Sequence, residues 1–252
     1  MQATWHGSPV WYELATNDLP AARRFYAAVL GWSVVDSGMP GMEYLLAKQG
    51  ETNVAGIYGA DQASAWTLYF AVTDCDAAVA QALATGATVL VPPGDVPGTG
   101  RFAVLADPQG APFGLLQPIP MEDGSIGGAF DQNRDGHGNW HELVCPDPKA
   151  GLKYYMDLFG WTLEQSMPMG PDFIYHIFAC NGVQIGGAFA PDNPAAPYWK
   201  PYFGTASTSA MVKTVTEAGG TVLHGPDEVP GGTFTLQCRD PQGAIFALVG
   251  PH

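Results

Sequence analysis

Apolar and polar positions alternate from Val10 to Thr16, which predicts a strand. The period then changes. Ala22, Phe25, Tyr26, Val29 and Leu30 fall three and four apart on one helical face. Asp18 stands where an N-cap is needed, Pro20 lies in the first turn, and Gly31 is placed to end the helix. Short strand patterns follow at Ser33–Asp36, Glu43–Ala47 and Asn53–Tyr58. The cycle then restarts. Trp66–Thr73 reads as a strand, Asp76–Thr85 as a helix closed by Gly86, and Thr88–Val91, Gly100–Ala106 and Ala111–Gln117 as strands. Asp107–Gly110 (DPQG) is a turn between the last two. One βαβββ module is thus followed by another.

The whole arrangement is then written a second time. Trp11–Trp32 (WYELATNDLPAARRFYAAVLGW) matches Trp140–Trp161 (WHELVCPDPKAGLKYYMDLFGW) without a gap. Farther on, Trp66, Tyr69 and Phe70 match Trp199, Tyr202 and Phe203, and DPQGA recurs at Asp107 and Asp240. An internal repeat of this length decides the architecture before any single residue does. The expected class is α+β, with four βαβββ modules making two domains at residues 1–120 and 138–252. A Gly- and Asp-rich linker is expected at 121–137.

Charge narrows the partners. The chain of 252 residues carries 24 acids against 10 Lys and Arg, a net −14. Nucleic acid and anionic membrane surfaces attract the opposite sign, so neither is expected as a partner. No run approaches a membrane span, and the first residues lack a secretory pattern. The four cysteines are scattered with no CxxC pair, which suits a reducing cytoplasm.

The stretch D-L-x-x-A-x-x-F-Y-x-x-V-L-G-W from Asp18 and the closing D-P-Q-G-x-x-F-x-L resemble the vicinal oxygen chelate superfamily. That group includes glyoxalase I, bleomycin-resistance proteins and extradiol dioxygenases. The resemblance implies paired modules whose mixed sheets curl into cups around a small-molecule site. Members that bind a divalent metal hold it with His, Glu or Gln from the first and last strands of each module. The corresponding positions here are Trp11 and Trp140, Ala55-Gly56 and Ile185–Gly187, Thr67–Tyr69 and Lys200–Tyr202, and Gly114 and Ala247. None supplies the His or carboxylate expected, so no metal and no other cofactor is anticipated. A shifted metal site using a glutamate is the alternative.

What remains in the strands is acid and aromatic. Glu13 shares a strand face with Trp11, and Glu142 shares one with Trp140. A lone carboxylate is costly in a dry core, so both are expected to face the cups. Trp66, Tyr69, Trp199, Tyr202 and His176 complete the expected ligand-binding set. Three readings stay open. One is a metal-free binder of a small organic ligand, with Glu13 and Glu142 as counter-charges. Another is a lyase, isomerase or oxygenase using Glu13 or Glu142 as general base or unusual metal ligand. The third is an interaction or scaffold protein whose surface, not its cup, matters.

Overall fold

The computed structural model describes residues 4–122, 124–171, 173–192 and 196–252. Its first half runs β1 (Pro9–Thr16), α1 (Leu19–Leu30), β2 (Ser33–Asp36), β3 (Tyr44–Gln49), β4 (Thr52–Gly59), β5 (Ala65–Ala71), α2 (Cys75–Ala84), β6 (Thr88–Val96), β7 (Gly100–Ala106) and β8 (Pro112–Pro118). The second half repeats this as β9 (Gly138–Val144), α3 (Pro148–Phe159), β10 (Thr162–Pro168), β11 (Ile174–Cys180), β12 (Val183–Phe189), β13 (Tyr198–Gly204), α4 (Thr208–Glu217), β14 (Thr221–Val229), β15 (Thr233–Arg239) and β16 (Ile245–Gly250). The four expected βαβββ modules are all present. The class is α+β, with two mixed sheets of order β2-β3-β4-β1-β5-β8-β7-β6 and β10-β11-β12-β9-β13-β16-β15-β14.

Local chemistry explains the element boundaries. Asp18, Asp74, Asp147 and Ser207 each cap a helix by accepting the backbone N–H three residues on, at 2.9 to 3.2 Å. Gly31 and Gly160 take the left-handed conformation (φ 68° and 75°) that ends α1 and α3. Strand β6 runs past Pro92 and Pro93, beyond its expected end at Val91. It lies at the end of its sheet, where a missing N–H interrupts no ladder on the open side.

Spatial grouping does not follow the order of the repeats. One compact unit, here the outer unit, holds Trp11–Thr67, Gly128–Trp140 and Lys200–His252. The other, called the central unit only for its segments' place along the sequence, holds the described residues up to Val10 together with Leu68–Gly127 and His141–Trp199. Each unit therefore combines one module from each repeat.

The same parts recur in both cores. In the outer unit Tyr26 of α1 stacks on Trp32 at 5.8 Å and meets Trp66 and Phe246 edge-on. Its hydroxyl donates to Asp240 Oδ2 at 3.1 Å and accepts from the Trp66 indole at 3.1 Å. In the central unit Tyr155 of α3 stacks on Trp161 and meets Trp199 and Phe113 edge-on. Its hydroxyl donates to Asp107 Oδ2 at 3.0 Å and accepts from the Trp199 indole at 3.0 Å. Each aspartate also accepts two amides of its own DPQGA turn through Oδ1. A buried carboxylate is tolerated here because every contact donates to it.

Candidate functional site

Strand parity decides which side chains reach the helices and which do not. On β1, Tyr12 and Leu14 are fully buried, and Tyr12 meets Phe203 at 5.4 Å. Trp11 and Glu13 alternate with them and project from the other face. On β9, His141 takes the place of Tyr12, and Glu142 that of Glu13.

Each glutamate lies in the same small device. Glu13 sits opposite Gly56 on the parallel neighbour β4. Tyr44 reaches from β3 across that glycine and donates its phenol proton to Glu13 Oε1 at 2.7 Å. The Trp11 indole N–H donates to the Tyr44 oxygen at 3.1 Å. Tyr58 stacks on Tyr44 with ring centres 6.4 Å apart. In the copy, Glu142 sits opposite Gly187 on β12, and Tyr175 of β11 donates to Glu142 Oε1 at 2.8 Å. Phe189 takes the place of Tyr58, stacking on Tyr175 at 6.0 Å. A Cβ on Gly56 or Gly187 would run into the tyrosine ring, so only glycine lets the phenol cross.

Burial, then the nearby glutamate charge, pushes the phenols of Tyr44 and Tyr58 above their ordinary value. The same two causes raise Tyr198 beside Glu142. These phenols therefore stay protonated, and Tyr44 donates its proton to Glu13. Each device offers a neutral donor and a carboxylate acceptor against aromatic faces. Together they can hold a small ligand bearing its own N–H or O–H group.

The other expected site residues divide by parity. Trp66 and Trp199 belong to the helix-facing cores through their bonds to Tyr26 and Tyr155, and do not line the opposite face. Tyr69 and Tyr202 lie three residues on, an odd step, and project from that opposite face. Tyr69 lies over Gly114, its partner on β8. Trp140 is half-exposed on the Glu142 face of β9. His176 also departs from expectation. It alternates with Tyr175, and its ring bonds Ser166 Oγ at 2.8 Å on the helix side, near enough to Lys149 of α3 to feel its charge.

Tyr44 and Tyr175, which hold the glutamates, were not singled out in the sequence. Their signal was present: they align in the repeat, as do Gly56 and Gly187. An open surface recess of about 400 Å³ lies at the start of α1, bounded by Asp18, Glu43 and Asp61. It includes neither Glu13 nor Tyr44.

Among the described residues, no three of His, Cys, Asp or Glu come together. The faces opposite the helices offer one carboxylate at each device, already accepting a phenol proton, across from a glycine. That donor set does not fit a divalent ion, which needs several His or carboxylate ligands.

His141 Nδ1 donates to the Ile185 carbonyl at 2.6 Å, and full burial pushes its pKa down to about 4. A histidine depressed this way contributes stability above its unfolded value of about 6.5, lost as pH falls through its folded value. Between these limits the loss from His141 is about 3 kcal/mol. Burial also lowers His6, His137 and His176, with the same sign. Asp240 acts oppositely: burial raises its carboxyl, so its contribution is complete at low pH and lost as pH rises through that raised value. Melting curves from pH 7.5 to 5 should show a falling midpoint. His141→Phe should remove the largest part of the slope, and an unchanged slope would refute this assignment.

The topology is that of tandem βαβββ proteins, with a carboxylate–phenol pair repeated on the faces turned from the helices. A model described as a glyoxalase-like domain matches residues 11–116. One described as the glyoxalase/bleomycin resistance protein/dioxygenase superfamily matches residues 137–248. The chain belongs to this superfamily, the vicinal oxygen chelate group. It is 32% identical over 255 residues to the "Putative glyoxylase CFP32" of Mycobacterium tuberculosis (strain CDC 1551 / Oshkosh), covering 97% of this chain and 95% of that one. It is 30% identical over 264 residues to the anthracycline biosynthesis protein DnrV of Streptomyces peucetius, covering 96% and 93%. The 2,3-dioxygenase LapB from Pseudomonas sp. KL28 shares the fold at TM-score 0.71 and 18% identity, over 99% of this chain and 94% of that one. A Mn(II)-bound glyoxalase from Novosphingobium aromaticivorans does so at TM-score 0.68 and 18% identity, over 97% and 82%.

Among the described residues, no helix is long and apolar enough to cross a membrane.

Proposed function

We propose that this protein binds a small organic molecule without the metal used by some of its superfamily. The ligand has an aromatic or extended apolar body and a hydrogen-bond-donating or cationic group, which a glutamate accepts. The observation carrying this reading is the tyrosine that crosses a glycine to meet a strand glutamate, built twice from residues far apart in sequence. The halves 1–120 and 138–252 are read as two copies of one sequence repeat, each supplying one glutamate–tyrosine device. Four buried, unpaired cysteines suit a cytoplasmic protein. The acidic surface disfavours nucleic acid and anionic membranes. The name of the Streptomyces relative makes polycyclic aromatic compounds a sensible first panel.

Tryptophan fluorescence and calorimetry against aromatic amines and aromatic polyketides test the reading. Glu13→Gln or Glu142→Gln should weaken binding about tenfold or more, since hydrogen bonds to charged groups contribute about 1.5–3 kcal/mol. Full affinity in the double variant, or a stoichiometric metal in protein purified without chelators, would remove it. An enzymatic reading rests on the same geometry, because a phenol 2.7 Å from a carboxylate pairs a proton donor with a base. It requires turnover that both glutamine variants abolish while melting midpoints stay put.

A further inference from the structure

We infer that Tyr58 is a specificity-determining residue: it fits the Glu13 device to an aromatic amine that carries a hydroxyl group, whereas Phe189 fits the Glu142 device to the amine without one. The inference rests on the reading that the two devices take the ligand, and it names the ligand class of each. Tyr58 lies on β4, opposite Ala15 of β1 and Tyr44 of β3, two residues beyond the glycine that Tyr44 crosses. That even step puts it on the sheet face that carries Glu13. Its ring runs within 9° of parallel to the Tyr44 ring. Trp11, Glu13 and Tyr58 are each only partly buried, so a ligand meets all three from solvent. The Tyr44 hydroxyl is engaged twice, donating to Glu13 and accepting from Trp11. Among the described residues none hydrogen-bonds the Tyr58 hydroxyl, and Glu13 acts on it through charge alone. A protonated phenol offers both a donor and an acceptor, and a ligand hydroxyl can use either.

The second repeat serves as an internal control. Phe189 stands opposite Val144 as Tyr58 stands opposite Ala15, and it stacks on the crossing Tyr175 in the same way. Phe173, two residues before Tyr175, meets Phe189 edge-on at 5.6 Å. Met42 holds the matching place before Tyr44. The strands, the glycine, the crossing tyrosine and the glutamate are thus built equally well without a hydroxyl at this position. Folding does not call for the Tyr58 oxygen. A ligand hydroxyl laid against Phe173 and Phe189 would give up water and gain no partner from either ring.

Calorimetry with benzylamine and 4-hydroxybenzylamine tests this, with one device weakened at a time. The Glu142→Gln protein, which keeps the first device, should bind 4-hydroxybenzylamine about fivefold more tightly than benzylamine, the yield of one neutral hydrogen bond. The Glu13→Gln protein should show no such preference, or the reverse. Tyr58→Phe added to Glu142→Gln should bring the two probes level, and Phe189→Tyr added to Glu13→Gln should create the preference. Equal affinities in the Glu142→Gln protein, or a preference that survives Tyr58→Phe, overturn the inference and leave the binding function standing. So does failure of both probes where other aromatic amines bind. Binding of no aromatic in the wider panel overturns both.

Discussion

Expressed separately, residues 1–120 and 138–252 are expected to give no folded monomer. Alone, each half should lack a cooperative melt or self-associate. Mixed, the two should recover a one-to-one complex with the melting behaviour of the whole chain. The reason is that each core draws on both repeats. Residues 1–120 lack Phe203, which packs on Trp32, and Phe246 and the Asp240 turn, which close over Tyr26; residues 138–252 lack Phe70, Phe113 and the Asp107 turn that close over Tyr155. Losing such aromatic packing removes several side chains each worth about 1.5–3 kcal/mol when fully buried. Net domain stability is only about 5–15 kcal/mol, so the loss exceeds the margin. Circular dichroism and sedimentation of the separate pieces are decisive. A monomeric half with a sharp transition would show that the cores are less shared than Tyr26–Asp240 and Tyr155–Asp107 imply. Within the whole chain, Asp240→Ala tests the same tie on a smaller scale. It strands two turn amides and a buried hydroxyl, at about 1–3 kcal/mol for each group left unsatisfied.

Gly56→Ala and Gly187→Ala should be the most damaging single-methyl changes at the candidate site. The added Cβ overlaps the phenol of Tyr44 or Tyr175, neither of which can stay across the strand. The glutamate then loses its donor, worth about 1.5–3 kcal/mol for a bond to a charged group. Forced repacking adds about 1–3 kcal/mol. A fall in melting midpoint of about 5–20 °C should accompany weakened ligand binding. Tyr44→Phe and Tyr175→Phe separate the two contributions, because they remove the bond and keep the ring. If the alanine variants melt and bind like the native protein, the crossing tyrosine does not govern the site.

The fold was legible in the sequence because its signals are local and stated twice. The Asp18 and Asp147 caps, the Gly31 and Gly160 stops, and the five-residue helix stripe each fix an element without tertiary help. The acid within the first strand was legible too, since Glu13 interrupts an otherwise core-like run and returns as Glu142. Its partner was not. Tyr44 reads from sequence as one more strand aromatic, and only the register of β4 against β1 and β3 brings it across Gly56. Trp66 and Tyr69 are near neighbours along β5, whereas a step of three sends them to opposite faces. Lys200 gave no periodic signal, because it occurs in one copy only. It stands out only when the second repeat is laid on the first and a threonine is found in its place.

The aspartate–tyrosine ties also constrain descent. Each joins a helix of one repeat to a turn of the other, so neither copy can be lost or spun off as an independent gene without abandoning a hydroxyl in the other's interior. The duplication is ratcheted. The far faces keep the glutamate–tyrosine device in both copies, and the copies part company in the row Tyr69–Gly114–Val104 against Tyr202–Ala247–Gln237.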